Sequence, residues 1–462
     1  MSGKRGAFLS KRKDLGKKGP EELARLFGPW LELGADFGSP LRRRVFTPGR
    51  VFWLFLGQVL SADGSCLEAL QKFASWLSGQ GLGRISVKTS GYCQARRRLG
   101  DASIRSAHSQ VVMKIGERSE GLRWLGRMVK VIDGSCVSMP DSPANQGAWP
   151  QQKSQKPGCG FPLMRVVVIF SLLSGALLDW AEGDYYTSEM TLFRRLWDTL
   201  KSEEVLLGDR GFCGYAVWYL LVGRGVDLVL RKPEKRSKKP KVIERLSKHD
   251  RIVEWKKSGA RPNWLSREQW EQIEEWMPVR ELRLLVSRRG YRTKKLVVVT
   301  SLLDPESYPA ETIAELYRWR WSAELYLREI KVVMGMDILR CKTPELVRKE
   351  LAMRVIAYNL VRALMLEAAV MEGANLERIS FKGTVSALRQ WAPVLALENL
   401  SATRREQIYR DFLHCLAADL IPLRPGRREP RAKKRRPKPY QLLTKPRGQF
   451  QELSHRGKIK MP

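Results

Sequence analysis

The spacing of apolar residues is helical over the first part of the chain. From about 21 to 120, apolar positions recur every three or four residues, which is the pattern of an amphipathic helix. Thr47-Pro48 marks the start of one helix, because threonine caps a helix and proline fits its first turn. The stretch 90–100 is a further short, basic helix. We therefore predict a helical region over 21–120.

Near residue 128 this spacing gives way to short apolar runs that are typical of strands. Three such runs occupy 128–137, 164–173 and 176–183, and a Ser-Gly turn joins the last two. An amphipathic helix follows at 188–200, and then a strand at 204–212 that runs into Asp209. A further helix at 214–224 and a further strand at 226–232 come after them. This order predicts an α/β layer with an antiparallel hairpin at one edge.

A mostly β insertion interrupts this layer. It opens with a charge run at 232–241 and continues with strand-like pieces up to about 305. The helical stretch around 317–331 then resumes the core, and 345–371 is another long helix. From 422 the chain turns basic, with nine Lys or Arg and one acid between 424 and 438. Such a run is a solvated tail or an arm on phosphates, and its composition fits a nuclear-localisation signal equally well.

The net charge points to nucleic acid as the partner. Lys and Arg total 83 against 48 Asp and Glu, which leaves +35. An excess spread over the whole chain suits a protein that sits on phosphates better than an enzyme for small molecules. The most apolar segment, 166–178, is too short for a bilayer and contains Ser174-Gly175. We therefore expect nucleic acid and no membrane.

The N-terminus and the cysteines indicate the compartment. The first 20 residues are basic, without an apolar core and a cleavage site, so they do not resemble a signal peptide. Seven scattered cysteines contain no CxxC pair, which argues against a disulfide framework and a zinc finger. We expect a cytoplasmic protein.

Three arginines end the basic helix at 90–100. Arg96, Arg97 and Arg98 are consecutive and could meet DNA in the manner of a recognition helix. A solvated basic face is equally consistent with them, so the sequence leaves both alternatives open.

Two aspartates are each predicted to end an apolar strand next to glycine. Asp133 lies in VIDG and Asp209 in LGDRG, where aspartate is often only a turn or cap residue. Together with Glu324 on the later helix, three carboxylates could converge at one edge of the sheet. Mg²⁺ prefers such oxygen ligands, and two ions can activate a water and stabilise the leaving oxygen of a phosphodiester. The sequence thus indicates a phosphodiester-cutting site with two Mg²⁺, for which Mn²⁺ can substitute.

The stretch YRWRWSAELYLREIK at 317–331 arranges polar residues along one helix. At about 100° per residue, Tyr317, Arg320, Glu324 and Lys331 fall within an arc of roughly 60°. A separate arc is apolar and should be buried; it contains Leu316, Trp319, Ala323, Leu327, Ile330 and Met334. Glu329 falls near 120°, away from the polar arc, so we expect it to be exposed. A solvated face is the common explanation of such a polar stripe.

The spacing of this stripe resembles a known signature. Bacterial insertion-sequence transposases of the D-D-E class, insertion sequence four family, carry Tyr, two residues, Arg, three residues, Glu, six residues, Lys. Tyr317, Arg320, Glu324 and Lys331 keep every gap. DRGF at 209–212 resembles the family's second box and VIDGS its first, and the resemblance runs from about 88 to 445.

The resemblance implies an α/β fold with an RNase H-like catalytic core, a mixed sheet with helices. It implies that Asp133, Asp209 and Glu324 are catalytic and hold two Mg²⁺, and that Tyr317, Arg320 and Lys331 grip the DNA end. Family members are bacterial, bind terminal inverted repeats, pair two ends in a dimeric synapse, cut, and join to target DNA. The expected partners are double-stranded DNA at transposon ends and target, and a second copy in a homodimer. The expected location is the nucleoid-associated cytoplasm.

By analogy, one tryptophan of the insertion would stack on a base, but no spacing selects it. The candidates are Trp255, Trp264, Trp270 and Trp276, and each is more typical of a core. We divide the chain into a basic tail at 1–20, a helical DNA-binding domain at 21–120, the RNase H-like core at 121–232 and 306–371, a β-rich insertion at 233–305, a C-terminal helical region at 372–421 and a basic tail at 422–462.

Three functions compete. A cut-and-paste transposase accounts for all the motifs, and an RNase H-like nuclease that cuts without strand transfer shares its fold. A non-catalytic DNA-binding protein gains nothing from three acids that face phosphate.

Overall fold

The computed structural model describes residues 21–34, 37, 45–79, 81, 84–233, 240–286, 294–397, 400–423, 443 and 445–450. The predicted basic tail at 1–20 and the basic run at 424–438 lie outside these residues.

The described part of the N-terminal region is helical, as predicted. Its helices are α1 (Glu21–Phe27), α2 (Pro48–Leu60), α3 (Cys66–Gly79), α4 (Thr89–Arg98) and α5 (Asp101–Arg118). The Thr47 side chain accepts a hydrogen bond from the Arg50 backbone N–H at 3.4 Å, which caps α2. The predicted Thr-Pro start of this helix is confirmed. Large apolar side chains of α2, Phe52 and Phe55 among them, are fully buried.

Five strands form the first part of the sheet. They are β1 (Val129–Ser138), β2 (Leu163–Ser171), β3 (Leu177–Asp184), β4 (Val205–Gly208) and β5 (Asp227–Arg231), with α6 (Pro143–Ala148), α7 (Glu189–Arg194) and α8 (Tyr215–Val222) between them. β1, β2 and β3 pair antiparallel, whereas β1, β4 and β5 pair parallel. Gly175, in the β2–β3 turn, has a φ of 71°, a conformation that favours glycine. The predicted order of strands and helices is confirmed apart from α6, a short helix between β1 and β2 that was not predicted.

The β insertion extends the same sheet. It contains β6 (Lys241–Arg245), β7 (Asp250–Lys256), α9 (Arg267–Glu271), β8 (Trp276–Val286) and β9 (Lys294–Thr300). β9 pairs antiparallel with β5, so the strands form one nine-stranded sheet in the order β3-β2-β1-β4-β5-β9-β8-β7-β6.

Helices follow the insertion. They are α10 (Ala310–Trp319), α11 (Trp321–Arg328), a π-helical turn at Glu329–Val333, α12 (Pro344–Glu372), α13 (Phe381–Leu395) and α14 (Ala402–Ala418). Most of α12 is buried, as its apolar length predicts. The architecture confirms the predicted α/β class: a mixed sheet with helices, a mostly β insertion, and helical regions at both ends. Among the described helices, none is long and apolar enough to cross a bilayer.

The two faces of the sheet contact different cores. Val129, Val131 and Val137 of β1 belong to the core that contains α12, whereas Ile132 belongs to the core under α7 and α8. Because side chains alternate along a strand, Asp133 shares the face of Val131. This is the face on which α11 lies against β1.

Candidate active site

Asp133 lies in the middle of β1, not at its end. The prediction that Asp133 ends a strand is wrong, because β1 continues past Gly134 and pairs with β2 as far as Ser138. The Asp133 carboxylate accepts a hydrogen bond from the Gly134 backbone N–H at 2.8 Å. Burial raises the pKa of Asp133 to about 6; the Gly134 hydrogen bond and the Arg320 charge oppose this, and the Asp209 and Glu324 charges add to it.

Asp209 follows β4 directly, as predicted. Its carboxylate accepts a hydrogen bond from the Gly211 backbone N–H at 2.7 Å and caps the turn Arg210–Phe212. β1 and β4 are parallel neighbours in which Val131 lies opposite Leu207. Asp133 and Asp209 each come two residues after this pair, so strand register brings the two aspartates to the same level of the sheet.

Glu324 approaches the aspartates from α11. Its Oε1 is 3.1 Å from Arg320 Nη2, and Arg320 occupies the break between α10 and α11. The Arg320 side chain is 18% exposed and that of Glu324 is 40% exposed. The charges of Arg320, Asp209 and Glu324 each shift the pKa of Asp133.

Lys331 contacts the strand that carries Asp133. Its Nζ donates hydrogen bonds to Ser135 Oγ at 2.7 Å and to the Cys136 carbonyl at 2.9 Å. Ser135 lies two residues from Asp133, so its side chain is on the same face of β1. The predicted stripe residue Lys331 therefore reaches the same strand as the candidate catalytic aspartate.

Tyr317 is more enclosed than a DNA-gripping residue was expected to be. Its side chain is only 7% exposed, and the Arg320 guanidinium lies 6.0 Å from its ring centre. Burial raises the pKa of the Tyr317 hydroxyl, which the Arg320 and Arg231 charges oppose and the Asp209 charge supports. Tyr317 thus packs against the site in this conformation, with little surface open to DNA.

The helix of 317–331 is not one regular α-helix. It breaks at Arg320 and ends in a π-helical turn, a form frequent at functional sites. The apolar arc is buried as predicted except Trp319, which is partly buried. The expectation for Glu329 is wrong: its side chain is 19% exposed and pairs with buried Arg362, Oε2 to Nη1, at 3.7 Å. The helical angles assumed a uniform 100°, which the break and the π turn change.

The donor set of this site suits a divalent cation. Three carboxylates on three rigid elements are oxygen donors of the kind that Mg²⁺ uses. The raised pKa of Asp133, to which burial contributes most and to which the Asp209 and Glu324 charges add, indicates negative charge that a cation would balance. In the described part of the chain, however, no three or more His, Cys, Asp or Glu side chains are grouped so that they could hold a metal ion. The three carboxylates are therefore not already arranged around one ion position.

Glu189 is a fourth carboxylate that the sequence interpretation missed. It begins α7 after the capping residue Ser188, on the sheet face opposite Asp133. A Cβ atom on Gly134 would lie 2.5 Å from Glu189 Oε1, and one on Gly211 would lie 3.8 Å from Oε2. Glu189 therefore packs against the two glycines that donate hydrogen bonds to Asp133 and Asp209. The only sequence signal was the Ser-Glu start of a helix.

The expectation that Arg96 contacts DNA is wrong for this conformation. Arg96 is 4% exposed and packs 4.8 Å from the centre of the Phe55 ring. Arg97 and Arg98 are exposed, so for these two a DNA contact stays a prediction. Helical spacing explains the difference, since Arg96 follows buried Tyr92 by one turn.

The tryptophans of the insertion differ in exposure. Trp255 is 2% exposed and packs against Trp218, with ring centres 5.2 Å apart. Trp264 and Trp270 pack partly buried against the same core. Trp276 is 40% exposed, so it is the candidate of the four with the most surface available for stacking.

Comparison with known proteins finds that this chain is similar to transposases. Residues 124–360 match the family described as "Transposase DDE domain". "Transposase InsG for insertion sequence element IS4" of Escherichia coli (strain K12) is 28% identical over 410 residues, 88% of this chain and 89% of that protein. "Putative transposase InsZ" of the same organism is 27% identical over 202 residues, 42% of this chain and 66% of that protein. A solved piggyBac transposase synaptic complex with hairpin DNA has a TM-score of 0.41 and 9% identity, covering 82% of this chain and 77% of that chain.

Proposed function

The chain belongs to the family of transposases with a DDE domain, and from this premise we propose that it moves a DNA element by cut-and-paste transposition. It binds the terminal inverted repeats of its element, cuts the DNA by two-metal phosphodiester hydrolysis, and joins the 3′-OH ends to target DNA. The observation that carries this proposal is the shared environment of Asp133, Asp209 and Glu324 in a chain that keeps the family's spacing.

Asp133, Asp209 and Glu324 are the residues that would hold two Mg²⁺, or Mn²⁺. When bound, these ions would supply an activated water and stabilise the leaving oxygen of the phosphodiester. The two aspartates are fixed by strand pairing and by backbone N–H groups. Glu324 is the carboxylate that is free to move, because its side chain is 40% exposed. Among the ion pairs of the described residues, its one partner is Arg320.

Arg320 and Lys331 position the DNA strand. A guanidinium binds a phosphate through two oxygens, as it binds a carboxylate. Arg320 can therefore release Glu324 and bind the phosphate beside the cut. That exchange frees Glu324 to face the aspartates. Lys331, anchored to β1 by Ser135, keeps an ammonium group next to the strand that carries Asp133. Both cations align the reacting phosphate, which lowers the barrier by orientation.

The remaining parts of the chain have roles that follow from charge and organisation. The excess of +35 supplies affinity for duplex DNA that does not depend on sequence. The helical domain at 21–120, with Arg97 and Arg98 exposed, would contact the ends, and two copies would pair two ends in a synapse. The Escherichia coli relatives support a bacterial protein that acts on DNA in the cytoplasm.

Glu324→Gln and Glu315→Gln make a matched pair for testing this function. Glu315 is exposed on α10, so its change removes the same charge from the same stretch of chain without touching the site. The substrate is duplex DNA taken from both flanks of the coding region, with Mg²⁺ present. Cleavage by Glu324→Gln should fall by about two orders of magnitude or more, because a loss of a few kcal/mol of transition-state stabilisation has that effect.

Band shifts on the same duplexes separate binding from chemistry. Both variants, and Asp133→Asn, should bind the ends like the unchanged protein, since phosphate contacts supply most of the affinity. Strand transfer into plasmid distinguishes a transposase from a nuclease. Equal cleavage by Glu324→Gln and Glu315→Gln, or cleavage retained by Asp133→Asn, would refute the assignment of the site. Cleavage without joining would identify a nuclease.

A further inference from the structure

Three cysteine sulfurs surround the buried guanidinium of Arg96. Cys66 Sγ of α3 and Cys93 Sγ of α4 are 4.0 Å apart. Arg96 Nη2 lies 3.4 Å from Cys66 Sγ and 3.5 Å from Cys93 Sγ, and Nη1 lies 3.9 Å from Cys341 Sγ. Cys66 and Cys93 are partly exposed, whereas Cys341 is buried. The cluster is separate from the candidate catalytic residues Asp133, Asp209 and Glu324.

Arg96 lacks a carboxylate partner among the described residues. Its other contacts are Gln58 Oε1 at 3.5 Å and the rings of Phe55 and Tyr92, at 4.8 and 5.1 Å from their centres. A buried guanidinium needs an anion, because an uncompensated buried charge is costly. Of the groups that touch it, a cysteine thiolate is the one that can supply this charge near neutral pH.

The charges of Arg96 and Arg97 favour Cys93 as the thiolate. The hydrogen bond from the Cys66 thiol contributes most to lowering the pKa of Cys93 to about 5, and the Arg96 charge, together with that of Arg97, lowers it further against the effect of burial. The same pairing raises the pKa of Cys66, as does burial. The raised pKa of Cys66 makes it the protonated partner of this pair. A thiolate beside a cation and partly open to solvent has the setting of a reactive cysteine.

We propose that Cys93 and Cys66 form a peroxide-reactive dithiol that closes to a disulfide between α3 and α4. The Cys93 thiolate attacks one oxygen of hydrogen peroxide, the O–O bond breaks, and hydroxide leaves and takes up a proton to form water. Cys93 is then a sulfenic acid. The Cys66 sulfur attacks Cys93 Sγ, the S–O bond breaks, and the released hydroxide takes the Cys66 proton. Two thiols lose two electrons in total, and one peroxide is reduced to two waters.

The cluster geometry suits closure. The sulfurs need to approach from 4.0 Å to the disulfide length of about 2.05 Å. The bond would tie two helices that are joined through residues 80–88. It would also remove the thiolate charge of Cys93 next to Arg96. Both residues lie in α4, the helix that exposes Arg97 and Arg98.

The experiment measures thiol oxidation in the full-length protein treated with a small excess of hydrogen peroxide. Remaining thiols are blocked with N-ethylmaleimide, and peptides are identified by mass spectrometry without reduction. We expect a Cys66–Cys93 disulfide that dithiothreitol reverses. Cys415, which is exposed and far along the chain, serves as the internal reference, and Cys415→Ser should leave the disulfide unchanged.

The pH dependence is the sharpest measurement. At pH 7 the high thiolate fraction of Cys93 is offset by its lower nucleophilicity, so its rate should be within about tenfold of that of an ordinary exposed thiol. Below pH 7 an ordinary thiol slows about tenfold per pH unit, whereas Cys93 should slow little until about pH 5. At pH 5.5 Cys93 should therefore react about tenfold or more faster than an exposed thiol.

Two variants keep the test decisive. Cys66→Ser should stop at the Cys93 sulfenic acid, which dimedone traps, and Cys93→Ser should abolish the disulfide. If Cys93→Ser does not fold, the Cys66→Ser trapping experiment still decides. A Cys93 rate that falls tenfold per pH unit below pH 7, a dimedone adduct absent from Cys66→Ser, or a dominant disulfide that omits Cys66 or Cys93 would overturn the proposal.

Discussion

Replacing Asp133 by Asn should stabilise the protein when no divalent cation is bound. Asparagine has nearly the same shape and keeps an oxygen for the Gly134 backbone N–H. Asp133, in contrast, must lose its proton in a buried site beside the Asp209 and Glu324 charges, and burial accounts for most of the rise in its pKa from 3.8 to about 6. At about 1.4 kcal/mol per pH unit, this rise corresponds to about 3 kcal/mol.

The sign follows from proton binding. Because the folded protein holds the Asp133 proton more tightly than the unfolded chain, stability is greatest below the unfolded pKa and is lost as pH rises through about 6. Asparagine stays neutral at every pH. The advantage of Asp133→Asn should therefore be about 3 kcal/mol at pH 8 and about half as large at pH 5.

Urea unfolding in the presence of a chelator, at pH 5 and pH 8, measures this advantage. Asp198→Asn is the matched control, since the Asp198 side chain is fully exposed and an exposed change should stay within about 0.5 kcal/mol. Adding Mg²⁺ should reverse the order of stability, because the ionised carboxylate binds the cation and asparagine binds it poorly. A chelated Asp133→Asn that is no more stable at pH 8 than at pH 5 would refute this reasoning.

Three further results are expected. Gly134→Ala should destabilise the protein by about 0.5–1.5 kcal/mol in urea unfolding, because its Cβ would lie 2.5 Å from Glu189 Oε1 and displace that side chain from its rotamer; combining it with Glu189→Ala should restore most of the loss, and no restoration would exclude this clash. Glu329→Gln should cost about 1–3 kcal/mol by the same assay, because it leaves the Arg362 charge buried; a silent Glu329→Gln would mean that the pair is not formed. Duplex affinity should fall steeply between low and physiological salt. Removing 424–438 should reduce the slope of log affinity against log salt concentration in filter-binding titrations without changing which ends are preferred. An unchanged slope would show that this run does not contribute to DNA binding.

The elements of the core could be predicted because their patterns are local. Short apolar runs, the Ser-Gly turn and the Thr-Pro cap each act within a few residues, and the strands and helices from Val129 to Arg231 follow the predicted order. The spacing from Tyr317 to Lys331 also identified the family correctly. What these signals have in common is that no distant contact is needed to interpret them.

The failures involve contacts between distant segments. Glu329 pairs with Arg362 of α12, and it begins the π turn that contacts this helix. Arg96 is held by Cys341, 245 residues away. Asp133 continues a strand because β2 pairs with it beyond Gly134. The positions of Glu329 and Arg96 on a helical wheel do not reveal a buried partner elsewhere in the chain, so both residues were assigned to the surface. The apolar run before Asp133 does not reveal that β2 pairs beyond it, so Asp133 was assigned to a strand end.

The continuity of the sheet has a consequence for how the insertion can be altered. Without β9, strand β5 would present unpaired backbone N–H and C=O groups, and such an open edge invites pairing between chains. β6 now occupies the outer edge, where all five residues are exposed and three of them are charged, a composition that discourages such pairing. The insertion thus acts as a protective cover for the strand next to Asp209, and a shortened chain that lacks 233–305 would be prone to aggregate before its chemistry could be measured.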